Sequence, residues 1–432
     1  MTTRGARLAD AVRALRDGED TARNYAAACC DQIEELDPEV RAFLPEPDRR
    51  DRVLAAAEDR DQQYPEPSDR PPLFGVPVGI KDIFHVDGLP TRAGAEVPAD
   101  VLAGPQAAAV TSLFAAGAVV LGKTVTTEFA YFAPGPTRNP HDLDRTPGGS
   151  SSGSAAAVAA GECPLAIGTQ TMGSVIRPAA FCGIVGVKPS FGRIPTDGVI
   201  PVSPSLDTIG AFTQGTEGAR LAASVLCAEW DGPAAAPDDP VLGVPDAAYL
   251  DRAEAVGREG FETTLEDLAD RGFELVRTTA LADIGRLIEA HVTLMGAEMA
   301  DAHEEWYAVY GDRYAPETVS LIEDGLAAAD DEVRSAREGR HRIRASLEST
   351  MAERGIDAWI APAAPGPAPR GIDDTGDPVM NAPWTYAGLP AVTVPAGDVD
   401  GLPLGVQLVG AFEDDEALLA LAADVDRALA TG

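Results

Sequence analysis

Apolar and polar residues alternate along the first half of the chain with the periods of both helices and strands. Residues 6–38 and 51–63 carry apolar side chains at helical spacing, and Asp37 and Pro38 predict the end of the first helix. Further along, LFGVPVGIKDIF, AVVL and CPLAIGTQT predict buried strands, whereas TSLFAAG and SAAAVAAG predict helices. Because the two patterns alternate through residues 75–230, we expect an α/β architecture with a mostly parallel or mixed sheet.

The second half of the chain has a different pattern. Residues 247–355 form long amphipathic stretches rich in Ala, Glu and Arg, which predict helices. After them, DAWIAPAAPG, AVTVPAG and GLPLGVQLVG predict strands, and EDDEALLALAADVDRAL predicts a closing helix. Since no repeat or linker divides the chain, we expect one domain over residues 1–432, with 247–355 as a variable helical region that packs on the core and shapes a substrate pocket.

Charge narrows the classes of partner. The 432 residues carry 69 acidic and 34 basic side chains, a net charge of −35, which disfavours nucleic acid as a partner and indicates a salt-rich cytoplasm. We find neither a membrane-spanning apolar run nor a secretory signal, and the five cysteines show no paired spacing, so we expect reduced thiols in a cytoplasmic protein.

Lysine is almost eliminated from the sequence. Of the 34 basic residues only Lys81, Lys123 and Lys188 are lysines. A lysine can become neutral when it is buried and can then act as a base, whereas arginine stays charged. The three lysines are therefore candidates for positions that arginine cannot fill.

The serine-rich stretch TPGGSSSGS leaves two interpretations open. GSSSG at 149–153 fits the GxSxG nucleophile elbow, with Ser151 as the nucleophile, and the same composition also fits a flexible linker. We find no GxGxxG, phosphate loop or HExxH, and the histidines lack metal-ligand spacing, so we expect no metal and a structural role for each of them: His85, His141, His291, His303 and His341.

A set of motifs in one order carries more information than any single pattern. GVPVGIKDIF, AGAVVLGKTVTTEFA, TPGGSSSGSAAAVAAG and IGTQTMGSVIRPAAFCGIVGVKPSFGRIP resemble the amidase signature family, as do TGDP, NAPWTYAGLPAVTVPAG and GLPLGVQLVG near the C-terminus. The resemblance covers about residues 70–210 and 357–425. It implies the amidase signature fold, a large mixed β-sheet core surrounded by α-helices, and no cofactor.

The resemblance also implies site residues. It assigns a Ser–Ser–Lys triad to Lys81, Ser150 as the bridging serine after a cis peptide bond, and Ser174 as the nucleophile. It assigns an oxyanion hole to the backbone N–H groups of Thr171, Met172, Gly173 and Ser174. Met172 and Gln170 stand where many members of the family have glycine and aspartate.

The residue types suit this chemistry. A serine hydroxyl needs a base within reach, and lysine serves only if burial lowers its pKa, as Val78, Ile80 and Ile83 are expected to do. We expect Asp82 to face away from Lys81, because successive side chains of a strand point to opposite sides.

The remaining site assignments concern Arg177, Ser151 and the other two lysines. Arg177 either holds its loop through an ion pair or anchors a substrate carboxylate, and Ser151 is a candidate substrate contact. We treat Lys123 and Lys188 as structural.

The function that follows is hydrolysis of a small carboxylic amide to a carboxylate and ammonia or an amine, through an acyl-enzyme on Ser174. The alternative is the glutaminase (A) subunit of an aspartyl/glutamyl-tRNA amidotransferase, and an inactive binding scaffold is a third class. TGDP and PWT favour the stand-alone amidases. The substrate and the oligomeric state, including a homodimer, are left open.

Overall fold

A mixed sheet organises the computed structural model, which describes residues 7–232 and 234–430. The strands are β1 Pro77–Lys81, β2 Val119–Thr124, β3 Leu165–Gln170, β4 Val185–Lys188, β5 Thr208–Thr213, β6 Val241–Pro245, β7 Glu274–Thr278, β8 Ala358–Pro362, β9 Ala391–Val399 and β10 Leu402–Val409. In these residues they form one sheet of ten strands in the order β2-β1-β3-β5-β4-β9-β10-β8-β6-β7. Both ends of the sheet are parallel and its centre is antiparallel, as expected for a mixed sheet.

Helices surround the sheet. They are α1 Leu8–Asp17, α2 Ala22–Val40, α3 Arg49–Gln63, α4 Ala108–Ala115, α5 Ser152–Ala159, α6 Ile176–Phe181, α7 Thr216–Leu226, α8 Ala247–Leu250, α9 Ala255–Asp270, α10 Ile284–Ala302, α11 Glu304–Tyr310, α12 Pro316–Ala327, α13 Asp330–Arg354, α14 Ala382–Ala387 and α15 Asp415–Leu429. The predicted α/β class is confirmed, and so are the strands and helices named from the apolar pattern, except for the first helix. No helix in the described ranges is long and apolar enough to cross a membrane.

The first predicted helix is wrong in two respects. Residue 6 lies outside the described residues. The remaining residues of the predicted helix form two helices, α1 and α2, because Gly18, with a φ of 76°, ends α1. The helix α2 then continues through Pro38 to Val40. Proline is tolerated there because only one hydrogen bond of the last turn is lost, and the Asp37 carboxylate accepts hydrogen bonds from the amides of Ala42 and Phe43 after the helix.

The region 247–355 is mostly helical and also contributes β7, which pairs with β6 at one end of the sheet. Its helix α10 contacts the rest of the chain through Glu298, whose carboxylate accepts hydrogen bonds from the hydroxyls of Ser203 and Ser205. The packing of this region on the core is therefore direct, and its part in shaping a substrate pocket stays a prediction.

The topology brings two loops together at one edge of the sheet. Strands β1 and β3 are adjacent and parallel, with Ile80 opposite Ile167. Their carboxyl ends therefore meet, which is where open α/β sheets place ligands. Lys81 ends β1, and the loop that contains Ser174 begins directly after β3.

Candidate active site

The Lys81 side chain lies at the centre of the site and is fully buried. Strand β1, which ends at Lys81, is buried along its whole length. The side-chain nitrogen Nζ lies 2.8 Å from Ser150 Oγ and 2.9 Å from Thr169 Oγ1. Lysine and serine thus have the contact that proton transfer between them requires.

Burial changes the protonation of this lysine. It lowers the pKa of Lys81 from 10.5 to about 7, and the nearby Asp207 carboxylate acts in the opposite direction. A large share of Lys81 is therefore neutral near neutral pH and can accept a proton. Asp82 faces away, as expected: its carboxylate forms an ion pair of 2.7 Å with Lys123 Nζ.

The serine-rich loop is buried and fixed. The peptide bond between Gly149 and Ser150 is cis, as the resemblance implied. Ser151 Oγ donates to the Thr169 carbonyl (3.2 Å) and accepts from the Thr169 amide (3.3 Å), and Ser154 Oγ donates to the Ile167 carbonyl (2.9 Å). These contacts fasten the loop and α5 to strand β3, so the linker interpretation is wrong.

Ser151 is fully buried, and its hydroxyl is occupied by backbone groups of Thr169. A nucleophile elbow exposes its serine at the end of a strand. Ser151 instead precedes α5 and follows a loop. Both the elbow interpretation and the predicted substrate contact of Ser151 disagree with this position, because its hydroxyl holds the loop.

The loop from Thr171 to Ser174 is fixed at its end by hydrogen bonds to the Gln170 side chain. Gln170 Oε1 accepts hydrogen bonds from the amides of Val175 (2.8 Å) and Ile176 (2.9 Å), which fixes the turn into α6. Among the described residues, the amides of all four predicted positions, Thr171, Met172, Gly173 and Ser174, have no protein acceptor. They are therefore available to a ligand, as the oxyanion-hole prediction requires. The Ser174 side chain is 8% exposed, compared with 2% for Ser150.

Arg177 connects α6 to the serine-rich loop. Its guanidinium donates to the carbonyls of Gly149 (2.7 Å) and Gly376 (2.6 Å) and to Thr375 Oγ1 (3.2 Å). In the described chain it forms no ion pair, so the predicted ion pair is replaced by bonds to neutral oxygens. These contacts favour a loop-holding role over a carboxylate anchor, and they tie α6, which begins two residues after Ser174, to the Gly149 carbonyl directly before Ser150.

The other two lysines are also buried. Lys123 forms the ion pair with Asp82, and Lys188 Nζ donates to the carbonyls of Pro189 (2.9 Å) and Leu389 (2.6 Å). Burial also lowers the pKa of Lys188 to about 7. Of the three lysines, Lys81 alone contacts a serine hydroxyl.

Sequence reasoning missed two residues that contact the triad or its loop. Thr169 binds Lys81 Nζ, and the Asp207 carboxylate accepts from the hydroxyl of Thr171 and from the amides of Val202 and Ser203. Thr169 lies in the quoted GTQT motif, where its position at the end of a strand was a usable signal. In the described residues no group of three or more His, Cys, Asp or Glu side chains is arranged to hold a metal ion.

With this geometry established, the comparisons with known proteins identify the family. A family model described as Amidase matches residues 25–419. The chain belongs to the amidase family. It is an enzyme that hydrolyses amide bonds, in agreement with its solved relatives.

The chain resembles several members of this family, both in sequence and in structure. The chain is 32% identical to the A subunit of the glutamyl-tRNA(Gln) amidotransferase of Roseiflexus sp. over 95% of this chain and 94% of that protein. It is 33% identical to the corresponding protein of Halobacterium salinarum over 82% of this chain and 96% of that protein. Among solved structures, a peptide amidase from Stenotrophomonas maltophilia superposes with a TM-score of 0.84 at 28% identity, covering 98% of this chain and 97% of that one.

Proposed function

We propose that this amidase hydrolyses a small carboxylic amide to a carboxylate and ammonia or an amine, through an acyl-enzyme on Ser174. The observation that carries the proposal is the 2.8 Å contact between the buried Lys81 amine and Ser150 Oγ. A lysine with a pKa of about 7 in contact with a serine supplies the base that a hydroxyl nucleophile needs.

The reaction has two steps, acylation of Ser174 and hydrolysis of the acyl-enzyme. Ser174 Oγ attacks the amide carbon while its proton passes to Ser150 Oγ, whose own proton passes to neutral Lys81. The carbonyl oxygen becomes an oxyanion that backbone amides of the loop, among those of Thr171, Met172, Gly173 and Ser174, stabilise. The proton returns through Ser150 to the leaving nitrogen, which departs as ammonia or an amine. A water molecule then attacks the ester by the same route and releases the carboxylate, so that one water is consumed for each amide.

The second candidate is a glutaminase subunit that delivers ammonia to an aminoacyl-tRNA. It is supported by identities of 32% and 33% to the two amidotransferase proteins across most of the chain. Both candidates use the same catalytic residues and differ in their partners. In the first the chain acts alone on a small amide, and in the second it acts within an assembly.

The test combines labelling with turnover. A fluorophosphonate reacts with an activated serine, and we expect intact mass and peptide mapping to place one adduct on Ser174. Ser174→Ala removes both the adduct and hydrolysis of a panel of small amides, including glutamine. Ser151→Ala, a matched serine-to-alanine change in the serine-rich loop, keeps the adduct on Ser174. Hydrolysis that survives in Ser174→Ala contradicts the proposal, and glutamine-dependent tRNA amidation with copurified subunits selects the second candidate.

A further inference from the structure

Three consecutive peptide units precede the Ser174 side chain, and each has its carbonyl occupied. The Thr171 carbonyl lies 2.8 Å from His291 Nε2, and the Met172 carbonyl accepts from Thr385 Oγ1 at 2.6 Å. The Gly173 carbonyl accepts from the Arg177 amide at 3.0 Å, within the first turn of α6. Two of the three donors are therefore side chains from other parts of the chain, one on α10 and one on α14.

The geometry of the peptide group makes these contacts relevant to the other side of the loop. The carbonyl of one residue and the N–H of the next belong to one planar unit and point in opposite directions when the bond is trans. Among the described peptide bonds the cis bond is the one before Ser150, so these units are trans. Holding the Thr171 carbonyl therefore aims the Met172 N–H, and holding the Met172 carbonyl aims the Gly173 N–H. A hydrogen bond to the carbonyl also polarises the unit and strengthens its N–H as a donor.

We propose that His291 and Thr385 are positioning residues of the oxyanion loop, which they hold from behind so that the amides of Met172 and Gly173 face the reacting carbonyl. The inference rests on the proposed function, because it assigns a task to the loop that carries Ser174. Both side chains are buried and bind backbone carbonyls of this loop, so we assign them a positioning role.

The surroundings of His291 fix its ring. It is fully buried, stacks on Tyr386 with 5.6 Å between ring centroids, and has Nδ1 3.3 Å from the Ala382 carbonyl. Burial lowers the pKa of His291 to about 4, so the ring is neutral and carries one N–H. The shorter contact assigns that hydrogen to Nε2, which donates to Thr171. Tyr386 is itself tied to α13 by a hydrogen bond from its hydroxyl to the Ala336 carbonyl.

Thr385 connects the loop to the beginning of α6. Its hydroxyl has one hydrogen, and the contact of 2.6 Å to Met172 is shorter than the contact of 3.1 Å to the Asn381 carbonyl. The same oxygen accepts from Gln170 Nε2 at 2.8 Å, while Gln170 Oε1 holds the amides of Val175 and Ile176. A glutamine at position 170 makes both contacts, whereas an aspartate has no hydrogen to offer Thr385.

The experiment measures how fast a fluorophosphonate labels Ser174, because the phosphoryl oxygen occupies the same hole as the oxyanion. The variants are Thr385→Val, which keeps the shape and removes the hydroxyl, Thr385→Ser, which restores it, and His291→Leu beside His291→Gln, whose amide retains a donor. Removing an oxyanion donor typically costs about 10²–10³ in rate, and misplacing a reacting group by 1 Å costs about 10². We therefore expect Thr385→Val and His291→Leu to slow labelling by about 10- to 100-fold, with Thr385→Ser and His291→Gln closer to wild type.

Matched controls separate positioning from loss of folding. Thr264→Val removes a buried hydroxyl that donates to the Gly260 carbonyl in α9, and His303→Gln changes a buried histidine that contacts the Pro201 carbonyl. Both controls should label at the wild-type rate. With an amide substrate the positioning variants lower kcat and leave KM near wild type, because the oxyanion exists only after attack. The midpoint of the pH–rate profile stays in place, since Lys81 is unaltered.

The outcomes are distinct from those of the proposed function. Labelling of wild-type protein at Ser174 tests the function, and the ratio of variant to wild-type rates tests the positioning. If folded Thr385→Val and His291→Leu, with thermal unfolding within a few degrees of the controls, label as fast as wild type, the inference is overturned. An effect on KM alone also overturns it.

Discussion

Asp207 offers a direct test of the base assigned to Lys81. Its carboxylate is buried and raises the pKa of Lys81 through its charge, and burial raises the pKa of Asp207 itself to about 6. Because this negative charge raises the pKa of Lys81, Asp207→Asn should lower it. The amide keeps an acceptor for the amides of Val202 and Ser203, and the Thr171 hydroxyl can turn to accept from the new N–H.

The size of the expected shift is taken from the usual effect of a nearby opposite charge on a pKa. An opposite charge within about 4–6 Å moves a pKa by about 1–3 units, and we take the lower end because three donors already share the charge of Asp207. The pKa of Lys81 then falls from about 7 by about one unit. Neutral lysine is the active form and is lost as pH falls through this pKa. At pH 6 the neutral fraction therefore rises from about one tenth to about one half, a gain of about fivefold relative to the alkaline plateau.

The assay is the fluorophosphonate labelling rate of Ser174 from pH 5 to 9 at constant ionic strength. Asp197→Asn is the matched control, an exposed carboxylate in a nearby loop, and it should keep the wild-type midpoint. An Asp207→Asn midpoint that stays in place or moves to higher pH would refute Lys81 as the base whose titration limits the rate.

Three further predictions concern stability. Glu162 is buried with no hydrogen-bond partner for either carboxylate oxygen among the described residues, and burial raises its pKa from 4.5 to about 9. The folded state favours the protonated carboxyl, so Glu162 contributes to the free energy of unfolding at low pH. This contribution falls by about 3 kcal/mol between pH 5 and 7.5. Glu162→Gln should therefore flatten the pH dependence of denaturant unfolding, whereas exposed Glu259→Gln should not. Gly153→Ala would place Cβ 2.2 Å from the Ala42 carbonyl oxygen and should cost about 3 kcal/mol or prevent folding, whereas Gly285→Ala, with nothing nearer than 3.9 Å, should change the unfolding free energy by less than about 1 kcal/mol. With a net charge of −35, the melting temperature should rise between 0.1 and 2 M KCl, and a melting temperature independent of salt would contradict the halophile-like interpretation of the composition.

Much of the fold was predictable because the buried strands are short and uninterrupted apolar runs. GVPVGIK and PLAIGTQ predicted β1 and β3, whose adjacency places Lys81 beside the loop of Ser174. Helix boundaries were less predictable. Local propensity places a stop at Pro38, but a proline in the last turn loses only one bond, and the contacts of the Asp37 carboxylate decide where the chain turns.

The sequence likewise predicts some residues of the site and not others. The lysine and the two serines could be assigned only through the resemblance to the family motifs, since Lys81 and Ser150 are 69 positions apart in the sequence. Thr385 and His291 could not, because they reach the loop from more than a hundred residues away and contact backbone carbonyls, which leave no pattern in the sequence. A histidine predicted to be structural is compatible with this position, but nothing in its local sequence shows which carbonyl it holds.

These contacts connect the region 247–355 to the loop that contains Ser174. His291 and Glu298 lie seven positions apart on α10, two turns along one face of the helix. The first holds the Thr171 carbonyl, and the second accepts from Ser203 and Ser205 in the loop that leads to Asp207. One helix therefore contacts both the loop that contains Ser174 and the loop that leads to Asp207. If these contacts have the roles proposed above, we expect a change of packing in this region to alter the rate of the chemical step as well as substrate binding.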